Sequence, residues 1–117
     1  MIDQLDDLLK FQTTALNLRS ERQAVLSANI VNADTPNYKA VDFDFAQALR
    51  DATATQSPDG TLKPTMLYRT PSQPSLDGNT VELDAERAKF ADNAVRYEAA
   101  LKFLNAQIKT MLAALQS

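Results

Sequence analysis

The chain has 117 residues, enough for one domain, and there is no reason to seek a second. Twelve basic residues against fifteen acidic ones give a net charge of −3, and no basic cluster could neutralise a row of phosphates, which argues against a nucleic-acid partner. With no cysteine and no histidine, disulfides, thiolate chemistry, the commonest zinc ligands and the usual general base are all excluded.

In chain order, the N-terminus MIDQLDDLLKF carries aspartates where a secretory signal carries lysine or arginine, and it lacks a small-residue cleavage site. No window approaches the ~20 apolar residues of a membrane helix. The expectation is a soluble chain, or one exported without a cleaved signal, and no insertion into a membrane. From Asp3 to about Asn32, Leu5, Leu8, Phe11, Ala15, Leu18, Val25 and Leu26 recur in steps of three and four, with Arg22 interrupting the stripe. This predicts a helix roughly 40 Å long.

The stretch ANIVNADTPNYKA then stops the helix. Asparagine competes for backbone groups, and proline disfavours helical backbone in the residue before it. Asn29 and Asn32 share a face where the amides can satisfy orphan carbonyls, either of this chain or of a neighbouring one. Thr35 and Pro36 favour extended backbone. Asn37 tolerates a left-handed turn, which aims Tyr38 at an apolar face.

Beyond the turn, Asp42 can cap a short helix whose Phe45, Ala46 and Leu49 share a face. KPTMLYR reads as a short strand that Pro64 confines to an edge. All five prolines and both glycines lie in residues 36–78, and residues 51–79 are expected to be irregular or mobile. The C-terminal third is again periodic: Leu83, Arg87, Phe90, Ala94, Tyr97, Leu101, Leu104, Ile108, Met111 and Leu115 mark a heptad seam on a helix over about 85–115. Asp84 is placed to cap it, and Asp92 with Arg96 and Glu98 with Lys102 form acid-first pairs. Two helices burying one seam each leave Val95, Phe103 and Leu112 partly exposed, which further copies or partners would cover.

The fold class is therefore mainly α. Two long terminal amphipathic helices pair as an elongated, coiled-coil-like hairpin around an irregular middle with room for a short helix or β element. One structural domain results, with an N-terminal helix in residues 1–35, a turn and linker in 36–82 and a C-terminal helix in 83–117. Asp42 and Asp44 in VDFDF form a nearby carboxylate pair, but catalysis needs a water-excluding pocket that splits their pKa values. Capping is the simpler reading. DGNT at 77–80 lacks the spaced acids of a calcium loop and reads as a turn. No catalytic group, cofactor or metal is expected.

The string SANIVNADTPNYKAVDFDF resembles the signature of bacterial flagellar rod and hook proteins, in which an Asn-rich helix end meets a Thr-Pro-Gly-Tyr turn. The later DGNTVELDAERAKFADNAVRYEAALKF and the short length are similar to the proximal rod proteins. Asn29, Asn32, Ala33, Thr35, Pro36 and Tyr38 match the motif, while Asn37 stands where glycine is usual. The resemblance implies a non-enzymatic axial subunit. Its terminal helices would pack with copies of itself and with sister rod proteins, at the rod base near the membrane ring and export apparatus. It also implies export through the flagellar type III apparatus; Leu5, Leu8 and Leu9, an exposed apolar patch in an unfolded substrate, are candidate export contacts. Leu5, Leu8, Phe11, Ala15, Leu18, Val25, Asn29, Asn32, Phe90, Ala94, Tyr97, Leu101, Leu104, Ile108, Met111 and Leu115 become the expected subunit contacts. From another class, a free-standing helical adaptor or secretion chaperone fits the same two helices.

Overall fold

A computed structural model describes residues 2–54, 64–69, 71 and 75–116. Five elements follow in order: α1 (Ile2–Val31), β1 (Val41–Asp42), α2 (Phe45–Ala54), β2 (Leu67–Tyr68) and α3 (Leu83–Gln116). Helices α1 and α3 pack antiparallel: Asn29 reaches Glu86 at one level, and Arg19 and Gln23 meet Asn93 at the next. The expected hairpin is thus present.

Its shape is elongated, with extents of 65 × 27 × 19 Å. The radius of gyration is 17.8 Å, against about 13 Å for a compact domain of this length. The exposed surface is 8271 Å², where a compact chain of this mass shows roughly 6,300 Å². About two thousand square ångströms more than a globule needs therefore face outward.

The buried core is small and lies towards the connected end of the hairpin. Helix α2 lies on α1, packing Ala48 and Ala52 against Leu18 and Phe43, with Val25, Phe45 and Leu49 at the margin. Alanines on the α2 face let the two helices approach closely, which dispersion favours. The Arg19 guanidinium stacks 4.0 Å above the Phe45 ring, a cation–π contact. Ala46, expected on this face, is exposed, and Ala48 takes its place because the buried row runs 45, 48/49, 52.

Asp42 does not cap α2. Asp44 does, accepting a hydrogen bond from the Gln47 amide at 3.2 Å while its carbonyl accepts one from Ala48 at 2.9 Å. Likewise Asp84 is not the cap of α3: the helix opens one residue pair earlier, with the Glu86 amide on the Glu82 carbonyl at 2.9 Å, so Asp84 lies inside the first turn. Acids there still favour the positive helix end. The strand read in KPTMLYR is β2, pairing antiparallel with β1 as Val41↔Tyr68 and Asp42↔Leu67. Helix α2 extends to Ala54, so the irregular stretch begins later than expected. Much of the remainder of that expected stretch lies outside the described residues.

The α3 seam is displaced from the row of apolar residues. The buried and half-buried line that carries the bonds of Glu86 and Asn93 to α1 runs on through Phe90, Tyr97, Ala100, Leu104, Gln107 and Met111. It shares Phe90, Tyr97, Leu104 and Met111 with the apolar row. Ala94, Leu101, Ile108 and Leu115 lie beside it. Three of the contact positions are polar, so a search for apolar residues alone shifts the register by one.

Candidate functional site

Where the chain leaves α1 and enters α3, polar side chains are buried with almost no water access. Asn29 is the hub. Its amide nitrogen donates to the Val41 carbonyl at 2.7 Å and to Glu86 Oε2 at 3.0 Å. Its Oδ1 accepts from the Val41 amide at 3.2 Å and from the Tyr38 hydroxyl at 3.3 Å. Both donors and both lone pairs of one amide are thereby used, which no other side chain of that size reproduces. Tyr38, expected on an apolar face, ends on this polar hub instead.

Around it, Arg22 of α1 grips Asp42 with two hydrogen bonds, Nε to Oδ1 at 3.1 Å and Nη2 to Oδ2 at 3.0 Å. Arg69, just after β2, pairs with the same Asp42 Oδ2 at 2.5 Å and with Glu86 Oε1 at 2.5 Å. Glu86 is completely buried. Burial alone would push the Asp42 carboxyl up, but the hydrogen bonds from Arg22 and the Phe43 amide, with the charges of Arg22 and Arg69, hold it below the usual carboxylate range. Its hydrogen bond to Asp42 raises Arg22 in turn. One clasp therefore ties α1, β1, β2 and α3.

A second set of contacts closes the turn. Asn37 adopts φ 64° and Gly78 φ 77°, and the two touch: a Cβ on Gly78 would lie 2.4 Å from Asn37 Oδ1. The Asn37 amide donates to the Asp77 carbonyl at 2.9 Å. Buried Asn79 donates to the carbonyls of Asn32, Ala33 and Thr35 at 2.8–2.9 Å, and its own oxygen accepts from Val81 at 2.7 Å. Asn32 donates back to the Ala28 carbonyl at 2.8 Å and accepts from the Thr35 hydroxyl at 3.1 Å. The DGN segment before α3 thus caps the end of α1, satisfying carbonyls that a helix end leaves without partners. Thr35 and Pro36 are exposed on this turn.

The expected contact residues divide by height along the hairpin. Leu18 is buried and Val25 half-buried beneath α2, and Asn29 is enclosed in the clasp. Their row continues down α1 as Phe11 and Leu8, where α2 no longer reaches, and there Phe11 is 45% exposed, Leu8 39% and Leu5 41%. On α3, Phe90, Ala94, Tyr97, Leu101, Leu104 and Met111 are half-buried, whereas Ile108, Leu112 and Leu115 are exposed, as are Phe103 and Val95. Ala15 is half-buried at the border. Sequence reasoning missed Glu86, Arg69, Asn79 and Asn93. The one available signal was Arg22, a charge within an apolar row.

A cleft of about 390 Å³ opens beside the ribbon, lined among others by Asp42, Asp44, Arg69, Glu86 and Lys89. Asp42 and Glu86 are engaged by arginines, and Asp44 caps α2. Among the described residues no group of carboxylates is arranged to hold a metal ion, and no helix is long and apolar enough to cross a membrane.

Residues 9–39 match the family model described as Flagella basal body rod protein. Over its whole length the chain is 49% identical to the flagellar basal body rod protein FlgB of Escherichia coli K12, covering 99% of that protein. It is 45% identical to FlgB of Salmonella typhimurium, over 99% of this chain and 98% of the relative. The FlgB of Cereibacter sphaeroides is 41% identical over 94% of each.

Proposed function

The chain belongs to the flagellar basal body rod protein family, and from that premise we propose that it builds the proximal rod by packing its terminal helices against further copies and sister rod proteins. It is a structural component of the basal body, assembling with other rod proteins. The observation that carries the packing mode is the α1 row itself. Above Ala15 the row is covered by the chain's own α2 and β1; below it Leu8 and Phe11 lie bare on a helix pair that holds its shape through the clasp. A row so divided is suited to a surface completed only in assembly. Of the expected contact residues, Leu5, Leu8, Phe11, Ile108 and Leu115 are the ones accessible to a neighbour, whereas Leu18 and Asn29 act within the subunit.

On this reading the chain has no catalytic role: the carboxylates Asp42, Asp44 and Glu86 beside the cleft are held in ion pairs and a cap. Its place at the rod base sets it against the membrane ring and export apparatus. Deleting the gene and imaging the cell envelope by electron cryotomography tests the reading. Rings without rods, hooks or filaments, restored by re-expression, are the expected result; complete flagella in the deletion strain would overturn it and favour a helical adaptor.

A further inference from the structure

The antiparallel pairing brings the first turns of α1 and the last turns of α3 to the same end of the molecule, beyond α2 and the ribbon. Charge there is sorted by helix. Residues 2–15 hold Asp3, Asp6 and Asp7 against Lys10 alone, whereas residues 101–116 hold Lys102 and Lys109 and no acid. All six are exposed. Lys10 is already near Asp6, at 3.9 Å. Asp3 and Asp7 fall on the side of α1 turned away from the buried and half-buried line Leu9, Gln12 and Leu16, which leads on to Gln23 at its bond with Asn93 of α3, given about 100° per residue. Lys102 and Lys109, seven residues apart, fall on the side of α3 turned away from α1. The two outer edges of the hairpin are therefore acidic and basic.

The apolar residues are sorted too. The cleft shows that α3 turns Ala85 and Lys89 toward the ribbon, and Phe103, five turns on from Ala85, lies on that same side. So do Leu8 and Phe11, since Phe11, Leu18 and Val25 are spaced by seven and α2 covers the latter two. Ile108 and Leu112 lie across the contact line, on the opposite broad face. The bare end thus has two unlike surfaces, and neither is complementary to itself: matching α1 edges would set aspartate against aspartate, which is penalised.

We infer that, given the rod-subunit reading, the acidic α1 edge of one copy with Leu8 and Phe11 docks against the basic α3 edge of a second copy of this chain with Ile108 and Leu112. Such a contact is heterologous. It leaves one free surface of each kind at the ends of any chain of subunits, so it continues from copy to copy, into a ring or an open helical array according to the rotation it imposes, where a self-matching contact would stop at a dimer.

The test is reciprocal charge reversal in the deletion strain. Asp3→Lys with Asp7→Lys, and separately Lys102→Asp with Lys109→Asp, each reduce swimming by at least tenfold and reduce rod number in tomograms; the combined fourfold variant restores both. Wild-type swimming in either reversed strain overturns the inference. So does a fourfold variant no better than the weaker pair, the outcome expected if a sister rod protein occupies the surface. The two failures are distinguishable: the rod-subunit reading fails if the deletion strain itself keeps its rods, whereas with rods lost on deletion these outcomes bear on the inference alone.

Discussion

Asn29 shows how one side chain can hold two helices and a strand at once. Removing it in Asn29→Ala leaves the Val41 amide and carbonyl, the Tyr38 hydroxyl and Glu86 each short of a partner in a largely buried site. Each buried polar group left unpaired costs about 1–3 kcal/mol, so urea unfolding of the purified chain should show a loss of several kcal/mol. The Arg69→Leu change strands a fully buried Glu86 and should cost about 3–5 kcal/mol, whereas pairing it with Glu86→Gln should recover part of the loss. Gly78→Ala is expected to destabilise by about 1–3 kcal/mol, because it forces a positive φ on alanine and drives a methyl into Asn37. Asn37→Gly, which needs no such strain, should be close to neutral. Asp42 sets a pH dependence. Its folded pKa lies below the usual value, so its stabilising contribution is complete at neutral pH and is lost as pH falls through the ordinary carboxylate range, near 3.9, toward the folded value. Asp42→Asn should flatten that part of the stability curve. The positive φ at Asn37 was legible from Asn-Tyr after Thr-Pro. The clasp was not, because its bonded partners lie up to 57 positions apart and only the misplaced charge of Arg22 marks it.

Among the elements, the two helices and the strand after Pro64 could be read from periodicity and turn chemistry, since those signals are local. The α3 register could not be read the same way. Glu86, Asn93 and Gln107 occupy contact positions, and a polar residue there is recognisable only once its partner is known: Asn93 donates to the Arg19 carbonyl at 2.9 Å and to Gln23 at 2.8 Å. A buried amide in a helix seam fixes register more than it adds stability. Asn93→Leu should accordingly keep or raise the melting temperature while loosening the alignment of α1 and α3, seen as a broader distance distribution between spin labels on the two helices. The caps were misassigned for a related reason: Asp42 and Asp84 both had suitable neighbours in sequence, but the first was drawn into an ion-pair cluster and the second was preceded by Glu82, which starts the helix earlier.

At the scale of the whole molecule, order should decline from the clasp to the bare end. The upper hairpin is fixed by a small apolar core and a dense polar network; below Ala15 two helices are left with each other and open apolar rows. Local opening there needs little free energy. Hydrogen exchange of the isolated chain should find amides around residues 18–31 and 86–97 protected and those in 3–12 and 104–115 exchanging fast, with protection of the latter appearing on assembly. Family membership and elongated pairing were visible in the sequence because both rest on patterns repeated along the chain, whereas the division of one apolar row into a covered and a bare half depends on where α2 ends.

The most direct test of that division is to place Leu8→Ser with Phe11→Ser in a strain lacking the native gene and to count rods by electron cryotomography alongside the amount of exported protein. Normal export with rods absent or reduced by at least tenfold is the predicted result. Normal rods and wild-type swimming would contradict the account, since the bare half of α1 would then have no part in assembly.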